Sequence, residues 1–192
     1  ERIEELASLG ITLVGENREQ EARDKAAALE GRCGIAMIGQ IQSKKANSVA
    51  RWASEVHSLD SLKLANGLNR GMALALERGD RTGEMLPCMV QLSYDGDTAR
   101  GGAHLDDVPA IVETVEESEH LAMAGFMVVP PLDSQPREVF AQARSLTDDY
   151  ATKLNRNLRL SAGMSGDFAD AIACGSDIVR VGTALLGPRP VV

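Results

Sequence analysis

Short runs of consecutive apolar residues alternate along this chain with longer stretches in which apolar residues recur every three or four positions. The runs fall at 11–14, 35–38, 55–58, 87–92, 122–129, 158–160 and 178–181. Runs that are apolar on successive residues suit strands of a parallel sheet covered on both faces. Between them, 17–30 (NREQEARDKAAALE) is rich in helix formers. In 61–77, Leu62, Ala65, Leu68, Met72 and Leu76 recur at helical spacing, with Ser61 placed as an N-cap. In 106–117, Val108, Ile111, Val112 and Val115 mark one face, and 135–153 and 166–174 complete the helical set. An amphipathic stretch carrying Ile3, Leu6 and Leu9 precedes the first run.

Strand and helix thus alternate throughout, which predicts the α/β class. A (β/α)8 TIM-type barrel has eight such units and about 250 residues. Seven strand candidates preceded by a helix fit that count if the first strand is missing. The expectation is one barrel domain over 1–192, incomplete at its N-terminus. An open doubly wound sheet is the rival, but its Gly-rich turn after the first strand is absent: GENREQE at 15–21 is not GxGxxG. The most polar, Gly-rich connection, DGDTARGGAHLDD at 95–107, is the predicted mobile segment.

Composition narrows the function. Aromatic residues make up only 3% of the chain, which argues against stacking readers of single-stranded nucleic acid. The net charge of −8 and the lack of a long basic run argue against nucleic acid as a partner at all. No stretch of about 18 apolar residues offers a membrane span, and no signal peptide is visible. Cys33, Cys88 and Cys174 form no CxxC pair and no metal-type spacing. They read as reduced, small apolar residues of a cytoplasmic protein, and no metal site is expected.

The chemistry concentrates in LRLSAGMSGDFADAIACGSDIVRVGTALLG, residues 158–187. Two short apolar runs each lead into a Ser, Gly or Thr cluster that opens a predicted helix. Barrels build phosphate sites in this way, from the loops after their last two strands and a helix N-terminus. Ser161 and Thr183 would add hydroxyl donors, and Gly182 a close backbone approach. The alternative is that these glycines are only turn and cap residues. Arg180 interrupts the apolar run IVRVG of the last strand. A buried cation needs a partner: a ligand, or a carboxylate on a neighbouring strand. Asn17, at the end of the first run, is a candidate cap for the following helix or a ligand group. His57 reads more readily as a structural residue than as a ligand. No Ser–His–Asp ordering, P-loop or HExxH is present.

The segments VGENREQE (14–21), IGQIQSKKAN (38–47), HSLDSLKLANGLN (57–69), ARGGA (99–103), GFMVVPP (125–131), LSAGMSGDFADAI (160–172) and VRVGTALLG (179–187) resemble, in that order, the YggS/PROSC-type pyridoxal phosphate homeostasis proteins. The resemblance covers nearly the whole chain. It implies an alanine racemase-like barrel standing alone and binding pyridoxal 5′-phosphate (PLP) as a Schiff base on a lysine of the first barrel strand. That lysine is expected upstream of residue 1; Lys44, Lys45 and Lys63 align with other positions. The resemblance implies that Ser161, Gly182 and Thr183 hold the phosphate and that Arg180 faces the pyridine nitrogen. Asn17 would lie beside the ring hydroxyl, with Met127 and Ser58 lining the pocket. The chain departs from the family at Gln40, where His is usual, and at Ala162, where Met is usual.

A cation at the ring nitrogen disfavours its protonation, so the cofactor would be a weak electron sink. The implied function is therefore a PLP carrier and buffer without turnover of its own. It would act as a monomer, with PLP-dependent apoenzymes as candidate recipients. A racemase of the alanine racemase type is the alternative. It needs a second base, for which Tyr94 is the candidate. A sugar-phosphate-binding barrel unrelated to PLP is the third reading.

Overall fold

A computed structural model describes residues 2–97 and 101–187. Helix α1 (Arg2–Ser8) precedes β1 (Leu13–Glu16), α2 (Glu19–Leu29) and β2 (Gly34–Met37). A 3-10 turn (Ser43–Lys45) leads into α3 (Ala46–Trp52), β3 (Glu55–Leu59), α4 (Leu62–Glu77) and β4 (Leu86–Ser93). The two-residue β5 (Ala103–His104) and a second 3-10 turn (Leu105–Asp107) precede α5 (Val108–Glu117). The chain continues through β6 (Leu121–Val128), α6 (Pro136–Leu154), β7 (Arg159–Met164), α7 (Phe168–Ala173), β8 (Ile178–Arg180) and α8 (Thr183–Leu186).

All strands pair in parallel, in the order β1-β2-β3-β4-β6-β7-β8, with β5 beside the end of β4. The order follows the sequence without reversal. That is barrel winding and excludes the doubly wound rival, whose strand order reverses at a switch point. Side chains of β3 and β7 meet although two strands separate them in the sheet: Arg159 bonds Glu55, and His57 meets Ser161. The sheet is therefore curled into a nearly closed barrel, bounded by β1 and β8.

Helix α4 begins where the sequence predicts, with Ser61 Oγ accepting from the Leu64 amide. Leu64, Ala65, Leu68 and Met72 are fully buried, whereas Leu62, placed on the same face by spacing, is turned outward. Gly67 and Gly71 let α3 press close; a Cβ on Gly71 would stand 2.9 Å from the Ala50 Cβ. In α5, Val108, Ile111, Val112 and Val115 are buried as the periodicity requires.

Most boundaries fall within one or two residues of the sequence reading, and three differences have a physical cause. Strand β1 starts two residues late, because Ile11 is tied to the end of α1 through its amide bond to the Leu6 carbonyl. Strand β7 runs on through Ser161, Ala162 and Gly163, small residues that read as a loop in the sequence. The 95–107 connection contains β5, too short for any periodicity to reveal, and its residues 98–100 lie outside the described set.

Candidate functional site

The polar groups of the last two strands gather at the C-terminal mouth of the barrel, where barrels carry their sites. Arg180 ends β8. Its Nη1 donates to Ser161 Oγ at 2.8 Å and its Nη2 to the Val128 carbonyl at 2.9 Å. No carboxylate forms an ion pair with it among the described residues, so the ion-pair reading is not realised within that set; Asp167 acts on it only through space. Burial lowers its ionisation to about 10, which Asp167 partly offsets, and at neutral pH it remains a cation. A guanidinium has five N–H donors, so donors remain for a ligand.

Ser161 lies within β7 rather than in the loop beyond it, and it is fully buried. Its hydroxyl is engaged by Arg180 and lies 3.2 Å from His57 Nδ1. His57 is also buried, and its Nε2 is 2.8 Å from Glu55 Oε2. Arg159 Nη2 donates to the other oxygen of Glu55 at 2.9 Å. Burial pushes the Glu55 carboxyl up, but its contacts with His57 and Arg159 outweigh it, leaving it below its ordinary value.

Gly182 and Thr183 open α8, whose first turn has no side-chain cap. Beside that turn stands Ser165, whose Oγ accepts from the Ala184 amide at 3.4 Å. The sequence reading passed over Ser165 in favour of Ser161. The signal was the Ser165–Gly166 pair in LSAGMSGD, four residues beyond Ser161. His57, read as structural, is the partner that the sequence could not assign to Ser161.

The remaining candidates divide. Met127 is buried on β6 and lies in register with Ser161 on one side and Gln91 on the other. Ser58 is buried, and its hydroxyl is spent on the Gly39 carbonyl at 2.7 Å. Asn17 does not cap α2, because the N-cap position is Arg18, in extended conformation and without a side-chain bond. Its side chain is exposed at the end of β1, and its carbonyl packs where a Cβ on Gly39 would fall. Lys45 pairs with Glu19 at 3.3 Å.

A cavity of about 110 Å³ opens at the ends of β4 and β6, lined in part by Gln91, Ser93, Tyr94 and Gly101. Burial pushes the Tyr94 phenol up to about 12, which makes it a poor proton acceptor near neutrality. Burial also pushes the Cys88 thiol up to about 12, as suits a core residue rather than a nucleophile. A larger hollow between α1 and α2 lies away from these groups.

A parallel barrel whose last two strands present a fixed cation, a serine and a Gly–Thr helix start has the donor set of an anion site. Comparison with known proteins narrows the class: the chain belongs to the family described as alanine racemase, N-terminal domain, which matches residues 1–190. It is 54% identical over 190 residues to the pyridoxal phosphate homeostasis protein of Corynebacterium glutamicum, covering 99% of this chain and 86% of the relative. It is 43% identical over 198 residues to the protein of the same name from Mycobacterium tuberculosis, covering 96% of this chain and 76% of the relative. Among solved structures, PipY of Synechococcus elongatus with PLP bound superimposes with a TM-score of 0.82 at 30% identity, covering 97% of this chain and 86% of that one. Alanine racemase of Clostridium difficile shares the fold, with a TM-score of 0.66 at 18% identity. No helix among the described residues is long and apolar enough to cross a membrane.

Proposed function

We propose that this chain binds PLP at the C-terminal mouth of the barrel and acts in cofactor homeostasis, carrying PLP without turning over a substrate. The observation that carries the reading is Arg180, clamped by Ser161 and Val128 and followed directly by Gly182 and Thr183. The names of the relatives and the PLP bound to PipY point the same way.

The donor set suits the cofactor. Thr183, the Gly182–Thr183 backbone and Ser165 would hold the phosphate, because a hydroxyl pair beside an open helix start favours an anion. Ser161 would act at the other end of the ligand, through Arg180 rather than on the phosphate. Arg180 would face the ring nitrogen and keep it unprotonated. Met127 would supply apolar lining, Asn17 would stand at the ring-hydroxyl side, and Ser58 would brace the Gly39 turn at the pocket wall. Bound PLP supplies an electron-withdrawing ring and an aldehyde that amines attack. Arg180 would limit protonation of the ring, and Tyr94, pushed up to about 12 by burial, stays protonated near neutrality. That arrangement favours storage over carbanion chemistry. Delivery to PLP-dependent apoenzymes by a monomer belongs to the same reading.

The test is the intact mass of the full-length protein before and after borohydride reduction, with PLP added. A gain equal to reduced PLP, mapped to a lysine, supports the reading. No adduct, with no change in absorbance on adding PLP, overturns it and leaves a sugar-phosphate-type barrel. An assay for D-alanine from L-alanine separates the racemase. Turnover abolished by Tyr94→Phe would overturn the carrier assignment.

A further inference from the structure

We propose that His57 is a positioning residue that fixes the Arg180 guanidinium through Ser161. The inference extends the PLP reading at the ring end of the site, but its main readouts need no cofactor.

One assignment satisfies every group of the hydrogen-bond chain. Glu55 is ionised, with its carboxyl held low by His57 and Arg159 against the effect of burial. An ionised carboxylate only accepts, so the hydrogen of the His57–Glu55 contact, at 2.8 Å, sits on Nε2. Arginine only donates, so Ser161 Oγ accepts from Arg180 Nη1 at 2.8 Å. The Ser161 hydrogen then points to the unprotonated Nδ1 of His57, 3.2 Å away. Every group in the chain is satisfied in this state. With Nδ1 protonated, two donors would converge on Ser161 Oγ and its own hydrogen would lose this acceptor.

Burial makes the arrangement binding. His57 is 2% exposed and Ser161 fully buried, so water has little room to replace a lost partner. The chain joins opposite walls of the barrel: Glu55 and His57 on β3, Ser161 and Arg159 on β7, Arg180 on β8. The Val128 carbonyl on β6 anchors the second guanidinium nitrogen. Two acceptors on different strands set the plane of the cation that meets the ring. His57 sets the hydroxyl of one of them.

The test compares His57→Asn, which keeps an acceptor near the Nδ1 position, with His57→Gln, which keeps a donor near Nε2 but offers Ser161 no acceptor. Ser161→Ala is the third variant. In the ligand-free wild type, imidazole nitrogen NMR should show a neutral ring protonated on Nε2. The two Arg180 Nη signals should be distinct, because rotation is restricted. The Nη signals should stay distinct in His57→Asn and coalesce in His57→Gln and Ser161→Ala. Melting curves check that each variant folds. With PLP, His57→Gln should shift the bound absorption maximum and weaken affinity about fivefold, the scale of one net hydrogen bond, while His57→Asn stays near wild type.

An imidazolium or an Nδ1-protonated ring overturns the proposal. So do Arg180 signals that respond equally to Asn and Gln, since a packing role would not distinguish them. If the wild type takes up no PLP, the functional reading fails while the ligand-free NMR still decides the role of His57.

Discussion

Arg180 reaches back along β7 to bond Ser161 at 2.8 Å, although its register partner is Met164 and that of Ser161 is Ile178. The cation therefore leans into the barrel rather than out to solvent. This divides the polar groups of the last two strands into two sets. Ser161 and Arg180 serve the interior, and Ser165, Gly182 and Thr183 stand at the open turn of α8.

If Arg180 faces the ring, Arg180→Ala should alter the absorption spectrum of bound PLP more than its affinity. The ring nitrogen would lose the charge that keeps it unprotonated. A spectrum identical to wild type would show that Arg180 does not meet the ring.

The phosphate end makes the complementary prediction. Ser165→Ala and Thr183→Val should each weaken PLP binding by about 1.5–3 kcal/mol, the range for a hydrogen bond to a charged group. Pyridoxal, which lacks the phosphate, should bind the variants and the wild type alike. Equilibrium dialysis with both ligands reads the difference. Equal loss for pyridoxal and PLP would remove these two residues from the phosphate site.

Much of this was legible in the sequence, for identifiable reasons. The periodicity of α4 and α5 and the Ser61 cap were visible because local patterning and burial agree there. The barrel order followed from strict alternation of strand and helix. The assignment of Ser161 to a loop came from reading Ser-Ala-Gly as turn chemistry. Pairing with β6 and β8 overrides that preference and keeps the segment extended. The His57–Ser161 contact spans 104 positions, so no local pattern could show it. The sequence spacing left Asn17 open between cap and ligand. The extended Arg18 at the N-cap removes the first option.

Glu55 predicts a pH dependence of stability. Its folded value is held below the ordinary 4.5. A carboxyl lowered on folding contributes stability that is fully present above its unfolded value and is lost as pH falls through the folded one. The stabilisation should therefore fade on acidification below about pH 4.5. Asp60, pushed up by burial, works in the opposite sense over the same acid range. Glu55→Gln should lower the melting temperature at neutral pH and flatten its acid limb, as read by thermal unfolding from pH 3 to 7. A variant with an acid limb as steep as wild type would mean that Glu55 contributes nothing there.

Gly125 is the backbone on which the β6–β7 seam depends. It lies in register with Arg159, at φ +142, after an irregularity in the β4–β6 pairing. A Cβ there would fall 1.8 Å from the Arg159 carbonyl oxygen, which is main chain and cannot swing aside. Gly125→Ala must therefore separate the two strands as well as strain its own backbone, at a cost of about 3 kcal/mol or more. Gly79 isolates the conformational part. Its φ is +72, and nothing lies within 4 Å of the added carbon. Gly79→Ala should cost only about 1–2 kcal/mol. Urea unfolding measures both, with a common m-value certifying that the midpoints compare stability alone. Because Arg159 also holds Glu55 at 2.9 Å, Gly125→Ala should loosen the polar chain leading to Arg180 even where the fold survives. A Gly125→Ala midpoint no lower than that of Gly79→Ala would mean that the seam can open without loss, and that the approach of the two strands at this point is not required.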